Sequence, residues 1–369
     1  MYIEITQAYA DALDASGIGP MWEILTNIHI ALRKGAHIIV CEKSSVAEVI
    51  VKKASKRADI LSDFASIETE VSRELRILRS SLNRYYSLVP SLNTDYAQTG
   101  KKIEIGIDVA SNDCFWKEAN LVVEFSTDYI CYKMIADYEK SKDPNICTIN
   151  IAFNPVSGGG HTSLDVFENI RQKKEIVFGI VDSDYDYDGG PLGSTAQAYE
   201  MCSSAKSILS DYIILGVREL ENLFYSSSFI DGLDFNQTLK SSIEQKMRCA
   251  LRHDPKFELF YDIKSGYTRK SVALKPALMA ILETTACCSD ANERNCKKCK
   301  EPVCNTNIMK GFGGDFIKKI RAKYCGSSAV GNFFRDAELK NSNLDDEWSK
   351  LGRCLFEWGC GLKMNSRRV

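Results

Sequence analysis

Leu121-Val122-Val123-Glu124-Phe125-Ser126-Thr127-Asp128 and Ile176-Val177-Phe178-Gly179-Ile180-Val181-Asp182-Ser183-Asp184 are the two stretches that decide the fold. Each is a short apolar run, rich in β-branched residues, that ends in carboxylates. Runs of this length without polar alternation predict strands buried on both faces. Ile146–Phe153 and Tyr212–Leu215 read the same way, and helical stretches at Tyr129–Tyr138 and Leu164–Lys173 separate them. Strands alternating with helices predict an α/β fold with a parallel sheet flanked by helices.

Outward from this unit, the first hundred residues read mainly as helix. Ile60, Phe64, Ile67, Val71, Leu75, Leu78 and Leu82 recur at spacings of three and four, which is one helical stripe. Arg73, Arg76, Arg79 and Arg84 fall largely off it, as a solvated basic face or a docking face. Pro90 and the polar run Asn93–Gly100 mark a boundary. The expected organisation is a helical N-terminal region at 1–100, the α/β domain at 101–235, and a mainly helical C-terminal region at 236–369.

Composition narrows the functional classes. The chain has 369 residues, enough for two lobes. Its 47 Lys and Arg against 49 Asp and Glu exclude a histone-like polycation, so any nucleic-acid contact must be a local patch. No apolar run reaches the roughly 18 residues that span a bilayer, and Met1–Ile30 lacks the basic start of a signal peptide. The expectation is a cytoplasmic chain, without membrane contact, whose 14 cysteines are thiols or metal ligands.

The carboxylates carry the chemistry. Glu124 closes one strand with Asp128 four residues on, and Asp182 and Asp184 close another. Ligands of parallel sheets gather at the carboxyl ends of strands. Several carboxylates gathered there repel one another unless a hard cation such as Mg²⁺ neutralises them, and such an ion activates water for attack on a phosphoryl group. An EF-hand starting at Asp182 fails at Tyr187, where Gly is needed, and at Gly193, where the bidentate Glu belongs. A haloacid-dehalogenase-type phosphatase wants Thr or Val where Asp186 stands, and the Asp-x-Asp of a glycosyltransferase does not call for the upstream Glu124. Ile38–Cys41 followed by Glu42 is a similar run, but Val46 replaces the second acid, so Glu42 reads as structural.

In this order of motifs the sequence resembles TOPRIM domains. The run at 121–129 is similar to their strand-Glu opening, and Asp182-Ser183-Asp184 to their Asp-x-Asp. Gly158-Gly159-Gly160 falls where defence-associated TOPRIM nucleases carry a Gly-rich loop, and Arg218-Glu219-Leu220-Glu221-Asn222-Leu223 resembles their Glu-Asn segment. The closest likeness is to the TOPRIM effectors of PARIS anti-phage systems, with the overcoming-lysogenisation-defect nucleases more distant. It covers roughly residues 115–230, and it departs from the pattern at Phe125, where Gly normally follows the Glu.

The resemblance implies a Mg²⁺- or Mn²⁺-dependent endonuclease acting on tRNA or DNA. Glu124, Asp182 and Asp184 are then catalytic and metal-binding, and Asp128 and Glu221 are further metal candidates. Arg218 and Glu219 stand behind them, although Glu221 reads equally well as a buried partner of Arg218. The backbone of Gly158, Gly159, Gly160 and His161 is a candidate phosphate receiver. The likeness also implies a toxic anti-phage effector, a homodimer, controlled by a separate ATPase; the chain itself has no nucleotide-hydrolysis loop of the Gly-x-x-x-x-Gly-Lys-Ser type. A catalytically degenerate scaffold subunit, or a metal-dependent phosphatase or transferase on a small phosphorylated substrate, are the competing readings.

Two further clusters lie downstream. The loop 287–304 holds Cys288, Cys296, Cys299 and Cys304, which suit a structural Zn²⁺ or read equally well as free thiols. Around it Lys297, Lys298, Lys300, Lys318, Lys319, Arg321 and Lys323, with Phe312, Phe316 and Tyr324 interleaved, form a candidate nucleic-acid patch. The basic residue that often completes a TOPRIM nuclease site is sought at Lys323 or Lys363.

Overall fold

The computed structural model describes residues 1–14, 16–54, 57–67, 75–91, 96–143, 149–225, 227–285, 307–324 and 342–362. The chain divides into two compact units. Met1–Gly179, Cys202–Tyr212 and Leu351–Val369 form one, and Ile180–Met201 and Ile213–Lys350 form the other. The molecule is mixed α/β, with parallel-rich sheets flanked by helices. Among the described residues no helix is long and apolar enough to cross a membrane.

The first unit opens with a sheet where helix is expected. Strands β1 (Tyr2–Ile5), β2 (Ile38–Cys41), β3 (Tyr85–Leu88), β4 (Tyr96–Thr99) and β5 (Lys102–Ile105) are ordered β2-β1-β3-β5-β4. All neighbours are parallel except the β4–β5 hairpin. β1 and β2 are buried at every position, so they lack the alternation that betrays a half-exposed strand. The apolar stripe is helical at Ala58–Ile67 and at 75–78, with Ile60, Phe64, Ile67, Leu75 and Leu78 buried. A 3-10 turn at Arg79–Ser81 then ends it, and the chain pairs as β3.

The helix Pro20–Lys34 shows how local sequence sets an element. Pro20 opens it, and Gly35 at φ 72° closes it by donating to the carbonyls of Ala31 and Leu32. Glu42 accepts the Gln7 backbone N–H at 2.9 Å, supplying a partner to the start of the helix Gln7–Ala12. Arg73 lies outside the described residues, and Arg79 and Arg84 have specific partners. Arg79 pairs with buried Glu4 at 2.6 Å, and Arg84 donates to the Ile208 carbonyl and lies 3.9 Å over the Trp358 ring.

The second sheet is the expected α/β core. Strands β6 (Asn120–Val123), β8 (Asn154–Ser157), β9 (Val177–Val181) and β10 (Ser210–Ile214) are ordered β10-β9-β6-β8. β6 runs parallel to both β8 and β9, with Leu121 opposite Pro155 and Phe178. The helices Tyr129–Ser141 and Ser163–Gln172 fall where the spacing predicts them. One strand is displaced: Ile146–Phe153 is expected, yet the sheet takes Asn154–Ser157. Within the expected run, β7 (Asn150–Ile151) instead pairs antiparallel with Cys360–Gly361. Phe356 and Trp358 are buried, and Trp358 stacks on Phe178 with ring centroids 5.6 Å apart.

The second unit contains the helix Gln237–Leu251 and, among its described residues, an antiparallel pair, β11 (Gly266–Thr268) with β12 (Asn307–Lys310). Its aromatic core includes Phe224, Phe229, Tyr261 and Trp348.

Candidate functional site

In the first unit, Glu124 follows the buried strand β6 and is itself exposed. Phe125 replaces the glycine of the resembled pattern without strain, because its φ of -123° is extended backbone. Its ring is 57% exposed. Asp128 is buried, and its Oδ2 accepts the Phe125 N–H at 3.2 Å, so its carboxylate braces the turn after Glu124.

The glycine loop braces the same turn. Gly158 N–H donates to the Val123 carbonyl at 2.7 Å and Gly159 N–H to the Glu124 carbonyl at 3.1 Å. Those two donors, expected to receive a phosphate, are thus committed to the carbonyls of Val123 and Glu124. Gly159 and Gly160 take φ of 69° and 61°, a region that favours glycine. Gly158 is needed for another reason: a Cβ there would lie 2.6 Å from Ser163 Oγ.

In the second unit, Asp182 follows the end of β9, and Asp184 leaves the strand conformation at φ 54°. Strand alternation therefore does not place Asp184; a loop does. The Asp184 N–H donates to the Arg218 carbonyl at 2.9 Å, and the Ser183 hydroxyl donates to the Val217 carbonyl at 2.6 Å. A non-glycine residue at positive φ is uncommon, although Asp tolerates it better than most.

Arg218 is taken by other partners than Glu221. Its guanidinium donates to Asp186 at 2.6 Å and to the Tyr185 carbonyl at 3.2 Å, and Lys275 holds the other Asp186 oxygen at 2.6 Å. Glu221 instead shares Lys264 with Glu219, at 3.4 and 2.8 Å from the Lys264 Nζ. Burial weakens the hold of Lys264 on its proton, but the charges of Glu219 and Glu221, and last that of Asp182, outweigh it and shift the ammonium pKa upward. Lys264, to which no motif in the sequence points, thus joins Glu219 and Glu221.

The Glu219 carboxyl is shifted upward. Burial first, and then the charge of Glu221, push it up to about 7 against the pull of Lys264. Its Oε1 is buried without a hydrogen-bond partner among the described residues. Among the described residues no cluster of three or more His, Cys, Asp or Glu side chains is spaced to hold a metal ion. What the described residues do offer is two carboxylates on one ammonium, with one Glu219 oxygen lacking a hydrogen-bond partner among them, and carboxylate oxygen is the donor type that a hard cation takes.

Of the candidate nucleic-acid patch, Lys318, Lys319, Arg321 and Lys323 lie on the helix Phe316–Tyr324. Lys319 donates to the Asp234 carbonyl and stands 4.3 Å from the Phe235 ring centroid. Phe312, Phe316 and Tyr324 are buried rather than interleaved with the cations at a surface. Cys288, Cys296, Cys299, Cys304, Lys297, Lys298, Lys300 and Lys363 lie outside the described residues. No family model matches the chain, and no significant match emerges among curated proteins or solved structures.

Proposed function

We propose that the chain is a metal-dependent endonuclease of the TOPRIM type, cutting phosphodiester bonds in tRNA or DNA. The observation that carries the reading is Glu219: burial and the neighbouring Glu221 push its carboxyl up to about 7, it shares Lys264 with Glu221, and one of its oxygens has no hydrogen-bond partner among the described residues. A pKa near the working pH suits a group that must take up and give back a proton. Lys264 orients Glu219 and Glu221 and offsets their mutual repulsion. Asp182, Asp184 and Glu221 are assigned as ligands of Mg²⁺ or Mn²⁺; a role for Glu124 as ligand or general base rests on the resemblance of its motif alone. A bound divalent ion would polarise the phosphoryl oxygen and ease deprotonation of water. The role as a toxic anti-phage effector, the homodimer, the controlling ATPase and the cytoplasmic location rest on the resemblance of the motifs at 121–129, 158–160, 182–184 and 218–223.

The test is cleavage of plasmid DNA and total tRNA in Mg²⁺ and in EDTA, by the wild type, Glu124→Ala and Asp182→Ala, each with and without the partner ATPase and its trigger. Cutting that needs Mg²⁺ and is lost in both variants is expected. Absence of cutting under every condition overturns the enzyme reading in favour of a scaffold.

A further inference from the structure

A second polar site lies in the first unit, among residues that the nuclease reading does not use. The helical turn at 75–78, the 3-10 turn Arg79–Ser81, the start of β3 and the β4–β5 hairpin surround an open cavity of about 560 Å³. That volume is in the range of small-ligand sites. Its polar lining is mainly cationic, with Arg76, Arg79, Lys101 and Lys102 beside the Tyr85 ring and Thr99. The hairpin that presents the two lysines is a tight two-residue turn with Gly100 at φ 59°, the position where such turns require glycine.

The cations are not equivalent. Arg79 is bound to buried Glu4 at 2.6 Å, and Lys102 to Glu104 at 2.6 Å. Among the described residues no carboxylate pairs with Arg76 or Lys101. Lys101 Nζ donates to the Ser80 carbonyl at 3.4 Å, and its charge is felt by the Glu357 carboxyl. Beside the cavity, the buried Tyr2 ring meets Tyr85 edge-on, and its hydroxyl has no partner among the described residues. The site therefore offers two cations without an ion-pair partner among the described residues, of different shape, a planar fork and a point charge, next to an aromatic wall. A guanidinium fork matches two phosphate oxygens at once, and an ammonium adds charge from another direction.

We propose that this cavity binds a phosphate ester of a nucleotide, with Arg76 and Lys101 on the phosphate and Tyr85 beside the nucleoside. The ligand is either a free nucleotide or one nucleotide of a bound strand, and the binding does not depend on cleavage. The experiment uses the full chain carrying Asp182→Ala, with fluorescence anisotropy of fluorescein-labelled adenosine monophosphate and of a short labelled single-stranded oligonucleotide. Inorganic phosphate serves as competitor. At least one probe should bind and be displaced by phosphate. Arg76→Ala with Lys101→Ala should weaken it about tenfold or more, as expected for two charge-assisted contacts. Thr99→Glu, which disturbs no ion pair, should weaken it in the same direction. The probe that binds tells a free nucleotide from a strand. Failure of both probes to bind, or undiminished binding by both altered proteins, overturns the proposal. Loss of cleavage in Asp182→Ala with binding retained bears on the nuclease reading alone.

Discussion

Glu219 and Lys264 meet at 2.8 Å, yet the second oxygen of Glu219 is buried with no hydrogen-bond partner among the described residues. The pair is half-satisfied, and pH should expose it. A carboxyl pushed up to about 7 from an ordinary value of 4.5 binds more protons folded than unfolded. Its stabilising contribution is fully present below pH 4.5 and is lost as the pH rises through 7. At about 1.4 kcal/mol per unit the full loss is on the order of 3 kcal/mol. Glu258, raised to about 7 by burial, acts with the same sign. Urea unfolding from pH 5 to pH 8 should show this decline, and Glu219→Gln should flatten it. An unchanged slope in Glu219→Gln would show that the carboxyl titrates normally.

A divalent ion should act on the same carboxyl. It favours the charged form, so Mg²⁺ that binds there stabilises the protein at pH 8 more than at pH 5. The melting temperature of the wild type should rise with Mg²⁺ at pH 8, and that of the double variant Glu219→Gln, Glu221→Gln should not. An equal rise in both proteins would place the ion elsewhere.

Arg218 illustrates a structural role beside the site. Its guanidinium and Asp186 are 2.6 Å apart, with side chains only 16% and 13% exposed. Removing one member of such a pair leaves a buried charge, so Arg218→Met should cost about 3 kcal/mol in chemical unfolding. The cost lies at the low end of the range for buried pairs because Lys275 still holds Asp186. Replacing both residues, as Arg218→Met with Asp186→Leu, should recover part of it. A double variant no more stable than the single would mean that the Tyr185 carbonyl contact, not the ion pair, is what matters.

The legible parts of the molecule were those with local signals. β6 and β9 announce themselves as short β-branched runs ending in acids, and the helices beside them follow from spacing. The N-terminal sheet was hidden for a physical reason. β1 and β2 are only four residues long and buried on both faces, so their pattern carries no alternation. Tyr85–Leu88 extends an apolar stripe at helical spacing, yet it pairs as a strand. β8 contains Pro155, which speaks against a strand unless the position is at a sheet edge, and β8 is an edge strand. Lys264 gave no signal because its place comes from a turn. There Gly266 N–H donates to the Asp262 carbonyl at 2.8 Å, and Gly313 N–H donates to Lys264's own carbonyl at 2.9 Å. Nothing near Lys264 in sequence points to Glu219, forty-five residues upstream.

Gly158 is a position where one methyl group should be felt. Its missing Cβ would sit 2.8 Å from Ser163 Cβ and 3.1 Å from Ser163 Cα, the latter a backbone atom that a rotamer change cannot move. Gly158→Ala should therefore lower stability by about 1–3 kcal/mol, the usual cost of overpacking. Ser163→Gly in the same chain removes the nearer contacts and should restore part of the loss. Thermal melting of the three proteins checks this, and a harmless Gly158→Ala would mean that the loop and the start of the helix Ser163–Gln172 are not held together as tightly as the structure has them.

Phe125 separates stability from function. Its backbone is extended and its ring is 57% exposed, so truncation should leave the melting temperature nearly unchanged, within about 0.5 kcal/mol. An exposed aromatic ring directly after Glu124 is placed to stack on a base of a bound strand, a contact typically of about 1–3 kcal/mol. Phe125→Ala should thus weaken single-stranded oligonucleotide binding while Phe125→Trp preserves it. Phe125→Gly, which restores the resembled TOPRIM pattern, should bind as poorly as alanine. Equal affinity in all four proteins would reduce Phe125 to a tolerated surface residue. A fall in stability for alanine and glycine alike would instead give the ring a packing role that its exposure argues against.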